Sequence, residues 1–208
     1  MLSLYGAQQF NDKWFGQAVL SFGLSHIINK ENRRISDSQL AIAKASYDAM
    51  SFSSGVLAGY NKGLGNGFVL TPMFGISYNT LGGISYKESG EEVGPQLMSV
   101  KRKTSHKLDL VGGVKFTSAP YALKGLVINP EIHAFIFHDV IGKVSKADAT
   151  IIGLKLPSEK IKPQKTFYNV GASLNTSHGA MDYGISTDAN FANKYVAVQG
   201  AIKLRVNF

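Results

Sequence analysis

Glu131 and His133 are the residues of this sequence whose type and spacing come nearest to a catalytic arrangement. They stand two positions apart, so on an extended chain their side chains share one face. Asp109 falls on the same face of a neighbouring segment, and a carboxylate–imidazole–carboxylate set can move protons. The same three residues also fit a plain polar wall, which needs no reaction. His26, His106, His138 and His178 are scattered and show no HExxH-type ligand spacing. Cysteine is absent, which removes thiolate metal sites and cysteine nucleophiles. No GxSxG elbow, P-loop or Rossmann glycine pattern stands in a suitable context. The sequence therefore assigns no catalytic residue, no metal ligand and no cofactor site.

The elements that carry these residues alternate strictly between two faces. In the last fourteen residues, YVAVQGAIKLRVNF, one face holds Val196, Val198, Gly200, Ile202, Leu204, Val206 and Phe208. The other holds Lys203 and Arg205. A period of two is the period of a β-strand. The same alternation recurs at 14–24, 50–60, 68–78, 108–116, 126–136, 168–174 and 181–191, with a weaker strand over 1–10. Lys107, Asp109, Lys115, Glu131, His133, Asp182, Asp188, Lys203 and Arg205 all fall on the polar faces. The glycines Gly55, Gly59, Gly75, Gly113, Gly171 and Gly184 fall there too. They fit either strand curvature or a lumen kept open for a peptide or helix.

A soluble β-sandwich and a membrane β-barrel both give clean alternation. Connection length separates them. Short links near 11–12, 61–66, 119–124 and 176–179 alternate with long ones near 26–46, 86–98 and 139–165, and only the link at 192–194 breaks the rhythm. Outer-membrane barrels have short periplasmic turns and longer external loops. Threaded from a periplasmic C-terminus, Trp14, Tyr60, Phe68, Phe116 and Phe208 fall at the inner rim. Phe22, Tyr78, Tyr168 and Phe191 fall at the outer rim. Two aromatic girdles are what bilayer interfaces favour. Pro72 and Pro130 interrupt two strands on the apolar face, near the strand starts.

The bulk numbers agree. Charged residues make up 17% of the 208 and aromatics 11%, with 22 glycines, a mix too apolar for disorder. No run of about 18 apolar residues suggests a membrane helix. The net charge of +8 raises nucleic acid as a partner, but the basic residues sit in connections. They group as Lys30, Arg33 and Arg34, as Lys101, Arg102 and Lys103, and as Lys160, Lys162 and Lys165. No RNP-like, zinc-finger or helix-turn-helix pattern accompanies them, so no nucleic-acid partner is expected. Once the loops lie outside, these clusters can meet anionic lipid headgroups. The opening MLSLYGAQQF has neither the basic start nor the apolar core of a signal peptide.

The segments DKWFGQAVLSFGLS, SSGVLAGYN, LTPMFGISY, KTFYNVGASL, HGAMDYGIS and NKYVAVQGAIKLRVNF resemble the C-terminal translocator domain of autotransporters (type V secretion). In particular they resemble rickettsial surface cell antigens of the outer membrane protein B type. The resemblance implies an all-β fold, an antiparallel transmembrane barrel of twelve strands in the family. The alternation accounts for about nine strands, so residues 1–208 are expected to be an incomplete barrel domain lacking first strands, lumenal helix and passenger. The resemblance further implies an outer-membrane translocator or anchor for a secreted surface passenger in a Gram-negative bacterium, and no enzyme. Expected partners are outer-membrane lipid and lipopolysaccharide, an upstream passenger and the barrel-assembly machinery. Ile202, Leu204, Val206 and Phe208 would form the assembly signal. A small porin-like channel and a barrel enzyme using Glu131 and His133 are the alternatives.

Overall fold

A computed structural model describes residues 1–90, 93–123, 126–142, 147–157, 164–193 and 195–206. Fifteen strands occur among them: β1 (Leu2–Gln9), β2 (Trp14–Arg34), β3 (Leu40–Tyr60), β4 (Lys62–Gly65), β5 (Phe68–Leu81), β6 (Ile84–Lys87), β7 (Met98–Arg102), β8 (Ser105–Thr117), β9 (Tyr121–Leu123), β10 (Leu126–Asp139), β11 (Ala147–Ile151), β12 (Leu154–Lys155), β13 (Thr166–His178), β14 (Met181–Ala192) and β15 (Tyr195–Val206). The main sheet runs β1-β2-β3-β5-β8-β10-β13-β14-β15, with β4 and β9 paired at its margin to β5 and β10. All its pairs are antiparallel, and each long strand neighbours the next in sequence. Nine strands therefore form the path, in agreement with the alternation. Among the described residues, β1 and β15 are each paired on one side only, so the sheet is open.

Local chemistry sets the turns. At the first hairpin the Asn11 carboxamide oxygen accepts from the Lys13 and Trp14 backbone amides, at 2.9 and 2.8 Å. This Asx turn reverses the chain in a few residues. Gly65, Asn66 and Gly67 all take positive φ between β4 and β5, a conformation that glycine and asparagine tolerate best. Both strand prolines sit where a ladder has ended. The β3–β5 pairing stops at Gly59–Met73, just short of Pro72. The β8–β10 pairing stops at Glu131, and β9 takes up only at Ile128, leaving Pro130 between them. Neither proline then removes a hydrogen bond on that side.

The polarity of the sheet is inverted relative to a water-soluble protein. Its apolar face is the exposed one: Val198 is 72% exposed and Ile202 is 87%. The charges lie on the covered face, where Asp109 is only 2% exposed. Along β10 the apolar residues Ile132, Ala134 and Ile136 are exposed, while His133, Phe135 and Phe137 between them are half-buried. An apolar surface of this extent is stable against lipid and not against water.

The connection at 26–46 differs from the expected loop. The β2 and β3 strands continue through it, each 21 residues long, and pair without interruption from Trp14–Tyr60 to Arg34–Leu40. A membrane strand tilted about 45° needs only about 9–11 residues to cross. The far half of this hairpin therefore projects beyond the apolar band. The connections around 86–98 and 139–165 are also partly ordered, as a second sheet β12-β11-β7-β6. That sheet leans on the inward side of the hairpin, where Ala41, Ala43 and Val93 form a small core with Ile35 and Leu97 at its edge. Tyr47 and Tyr86 stack there, ring centroids 4.6 Å apart.

Candidate functional site

Strand parity sends the charged residues of β8, β10, β14 and β15 to one concave wall, with Asn169 of β13 among them, and register decides which of them meet. On β8, Lys107 Nζ lies 2.9 Å from the Asp109 carboxylate and 4.4 Å above the Phe167 ring. Lys115 on β8 stands in register with His133 on β10, and its Nζ reaches Glu131 at 3.3 Å. His133 is in register with Gly171 on β13, and Gly171 with Asp188 on β14. His133 Nε2 crosses over that glycine to Asp188 Oδ1 at 2.9 Å and also lies 3.1 Å from Asn169 Oδ1. Asn169 then donates to Asp188 and to Asn190, at 3.3 and 3.1 Å. Further along, Arg205 on β15 reaches Asp182 on β14 at 3.7 Å. Lys203 shares this wall, in register with Gly184. The wall is thus a ladder of paired charges, and each pair is joined by a cross-strand or next-but-one neighbour.

This arrangement does not assemble the acid–base set. Glu131 is engaged by Lys115, and His133 by Asp188. Asp109 stands in register with Asp139, six residues from His133 along β10, which is about 20 Å of strand. The sequence put all three on one face, but facing does not fix height along the strand. The geometry supports structural pairing of charges and gives no proton relay among these three.

The wall glycines have a common use. At Gly59 the ring of Phe15 occupies the place of a side chain, 2.4 Å from where a Cβ would stand. At Gly113 Phe135 does so at 2.1 Å, at Gly75 Leu57 lies at 2.8 Å, and at Gly171 His133 and Asp188 lie at 2.6 and 2.7 Å. Each such neighbour is the glycine's own cross-strand partner. Large side chains fold flat over small ones, a device that fills and stiffens a curved sheet. Gly55 has only looser contacts, the nearest Val19 at 3.5 Å, and at Gly184 the close neighbour is Asn175 at 2.8 Å.

The opposite, apolar face carries the aromatic residues named from the sequence. Trp14 and Tyr60 pair at one margin, with centroids 5.0 Å apart, and Phe68 stacks on Phe116 at 5.6 Å. At the other margin Phe22 is in register with Phe52, and Tyr168 with Phe191. There Tyr78 stacks on His106, whose Nδ1 is 2.7 Å from the phenol oxygen. On β15, Ile202 stands in register with Ile185 and Leu204 with Tyr183, while Val206 pairs with Met181. Phe208 lies outside the described residues, as do Lys160 and Lys162.

Several residues on the wall escaped the sequence reading. Phe15, Phe135, Phe137 and Phe167 share the parity of the charges, which was the available signal. Asp139 is buried at the outer end of β10, and its Oδ1 accepts from the Ile141 and Gly142 amides, closing a turn. Where the hairpin meets the external sheet, Arg33 of β2 binds Glu88 at 2.7 Å, Glu31 at 3.2 Å and the Gln96 carbonyl. Burial pulls the Arg33 guanidinium down, but the hydrogen bonds to Glu88 and Glu31 outweigh it and hold the group above its ordinary value. Burial, then the neighbouring Tyr47, pushes the Tyr86 phenol up.

Comparison with known proteins gives a consistent result. Residues 1–190 match the family model described as the autotransporter beta-domain. Outer membrane protein B of Rickettsia typhi is 38% identical over 99% of this chain, which spans 13% of that protein. Outer membrane protein A of Rickettsia conorii is 33% identical over 99% of this chain and 10% of its own length. The translocator domain of the autotransporter NalP from Neisseria meningitidis shares the fold, with a TM-score of 0.63 at 18% identity. That match covers 99% of this chain and 66% of the NalP chain.

Proposed function

This chain belongs to the autotransporter beta-domain family, and from that membership we propose that residues 1–208 form the outer-membrane translocator and anchor of a surface passenger. It works by being a wall. The exposed apolar face meets lipid, the aromatic margins sit at the two interfaces, and the paired charges line the inner side. The inner wall conducts no reaction: its acids and bases neutralise each other, so a passing polypeptide meets no strong net field. The observation that carries this reading is the inverted polarity, with Val198 and Ile202 exposed and Asp109 covered.

The reading extends to its partners. The passenger is part of a longer protein; this chain corresponds to about an eighth of outer membrane protein B and a tenth of outer membrane protein A. The barrel-assembly machinery reads the last strand through Ile202, Leu204, Val206 and Phe208. The outer leaflet, with its lipopolysaccharide, is in contact with the outward rim, and nucleic acid is not a partner.

Trp14 is the sole tryptophan of the chain and lies on the apolar face at the inner margin. This makes it a direct reporter. Protein in vesicles of brominated phospholipid should show quenched Trp14 emission, stronger with bromines near the headgroup than near the chain ends. Emission equal to that in unbrominated vesicles would remove the membrane assignment. For transport itself, an epitope fused ahead of residue 1 should become accessible to protease on intact cells, and Val198→Asp should abolish that exposure. An epitope exposed equally in both would contradict translocation through this domain.

A further inference from the structure

Ser46, His26 and Asp48 meet on the outward face of the β2–β3 hairpin. His26 of β2 and Asp48 of β3 stand directly opposite each other in register, and Ser46 lies two residues along β3, opposite Ile28. His26 Nδ1 is 2.8 Å from Asp48 Oδ1, and His26 Nε2 is 3.0 Å from Ser46 Oγ. The two ring nitrogens thus have different partners. An ionised carboxylate can only accept, so in the neutral ring Nδ1 carries the proton and donates to Asp48. Nε2 is left as the acceptor for the Ser46 hydroxyl. That is the order of a hydroxyl nucleophile, its base and the group that orients the base.

The strands impose this meeting. Lys44 exchanges both backbone hydrogen bonds with Ser89, at 2.8 Å each, so even-numbered residues of β3 direct their amides away from β2. His26–Asp48 is therefore a non-hydrogen-bonded pair, the kind in which side chains stand closest. The same parity turns the Ser46 amide to the far edge of β3. The β3–β5 ladder begins only at Ser51, and Lys44–Ser89 is a single bridge, so among the described residues no ladder takes up that amide. A nucleophile's own N–H is a ready donor to the oxyanion formed on it. Exposed apolar side chains flank the hydroxyl: Ile28 opposite it, and Leu24 in register with Met50 below. The His26 and Asp48 side chains are 59% and 77% exposed, so water screens the charge that develops. Esters suit such a site better than amides, because an alcohol leaves more easily than an amine. Ser46 lies six residues beyond Phe52, roughly 14 Å further out at a tilt of about 45°. That is above a headgroup layer of about 5–7 Å, so the substrate comes from water.

We propose that Ser46, His26 and Asp48 form a hydrolytic site for soluble, short-chain carboxylic esters. Ser46 Oγ attacks the ester carbonyl carbon while its proton passes to His26 Nε2, and the oxyanion faces the Ser46 amide. The bond from that carbon to the alcohol oxygen breaks, and the alcohol leaves with the proton from Nε2. Water then attacks the acyl-Ser46 ester in the same way, and the carboxylic acid leaves as Ser46 regains its proton. Asp48 holds the ring in place and faces the imidazolium formed in each step. Ile28 lies beside the acyl chain. The activity stands apart from translocation, and failure of the epitope experiment would leave it intact.

The test uses the whole protein in neutral detergent, with p-nitrophenyl butyrate as probe and release of p-nitrophenolate as readout. Wild type should hydrolyse it, and Ser46→Ala and His26→Gln should each lose at least about 100-fold of that rate. Asp48→Asn should lose at least about tenfold, because the ring is no longer held in the right tautomer. Ser54→Ala, elsewhere on the outward face of β3, should leave the rate unchanged. All three site residues are exposed, so each variant should keep the heat-modifiable mobility of wild type. Diisopropyl fluorophosphate should add one phosphoryl group to wild type, mapped to Ser46, and none to His26→Gln. A wild-type rate no higher than that of Ser46→Ala would overturn the site. Hydrolysis that survives Ser46→Ala yet falls in His26→Gln is imidazole acting alone, and it would overturn the serine as nucleophile. A label on any residue but Ser46, or no label at all, would do the same.

Discussion

Ile185→Arg and Ser186→Arg place the same charge at adjacent positions on opposite faces of β14. Ile185 is outward, 56% exposed, between Leu174 and Ile202 in register. It lies four residues from Met181 and six from Phe191, near the middle of the crossing. An arginine at the bilayer midplane costs roughly 2–4 kcal/mol in a barrel. At 1.4 kcal/mol per tenfold, that is a loss of about 30- to 700-fold in the folded-to-unfolded ratio. Ser186 faces the wall between Ser173 and Ala201, both small, with Glu131 one strand further on. An arginine there has room and an acid to approach, so its cost should stay within about 1 kcal/mol. Phe191→Arg, at the outer margin, should cost about 0–1 kcal/mol, because the penalty fades toward the interface. The assay is urea unfolding of protein held in phospholipid vesicles, followed by tryptophan emission and by heat-modifiable mobility on gels. If the exposed face met water instead, Ile185→Arg would be a surface exchange worth about 0.5 kcal/mol or less. Equal midpoints for the Ile185 and Ser186 variants would therefore refute the facing argument.

Other outcomes follow from the same geometry. Arg33→Ala leaves Glu88 buried without its partner and should destabilise the external sheet by about 3–5 kcal/mol, seen as new protease cleavage within 84–102 while membrane insertion is retained. Gly171→Leu drives a side chain into His133 and Asp188 and should cost about 1–3 kcal/mol of overpacking; a hydrogen-exchange profile of β13 unchanged from wild type would count against the filled-glycine picture. Because the Tyr86 phenol is held above its ordinary value, its contribution is full below the usual tyrosine range near about 10 and is lost as pH rises through the raised value. The external sheet should thus loosen in strong alkali, with tyrosinate absorbance and protease sensitivity rising together, and Tyr86→Phe should remove that coupling.

Much of the main sheet was legible because one rule governs it. Wherever a strand crosses lipid, a charge such as Asp109 or Lys203 can sit on one face only, so parity and charge together fix the facing. The same rule fails above the membrane. In β2 and β3 the period of two continues past His26 and Asp48, but the buried row becomes Ala41, Ala43 and Ala45, and Lys30 and Lys44 turn outward. Alternation without its usual polarity reads as a loop. The external sheet was hidden for a second reason. Its pairings, such as Ile84 with Arg102 and Ala147 with Arg102, join residues 18 and 45 positions apart. The wall was half legible. Parity put Glu131, His133 and Asp188 inside, but the meeting of His133 with Asp188 depends on the β10–β13–β14 register, and no residue pattern announces that register across the connection at 139–165. The inward phenylalanines were masked by the glycines they cover, since neither Phe135 nor Gly113 explains its position without the other.

The central claim is that even-numbered residues of β10 meet lipid and odd-numbered ones meet the inner wall. The chain contains no cysteine, so single cysteines at 130 to 138, each carrying a spin label, report one position at a time. In bilayers the accessibility to dissolved oxygen should peak at 132, 134 and 136, and accessibility to a water-soluble nickel chelate should peak at 131, 133 and 135. Two quenchers rising and falling together, or an alternation of the opposite phase, would contradict the account.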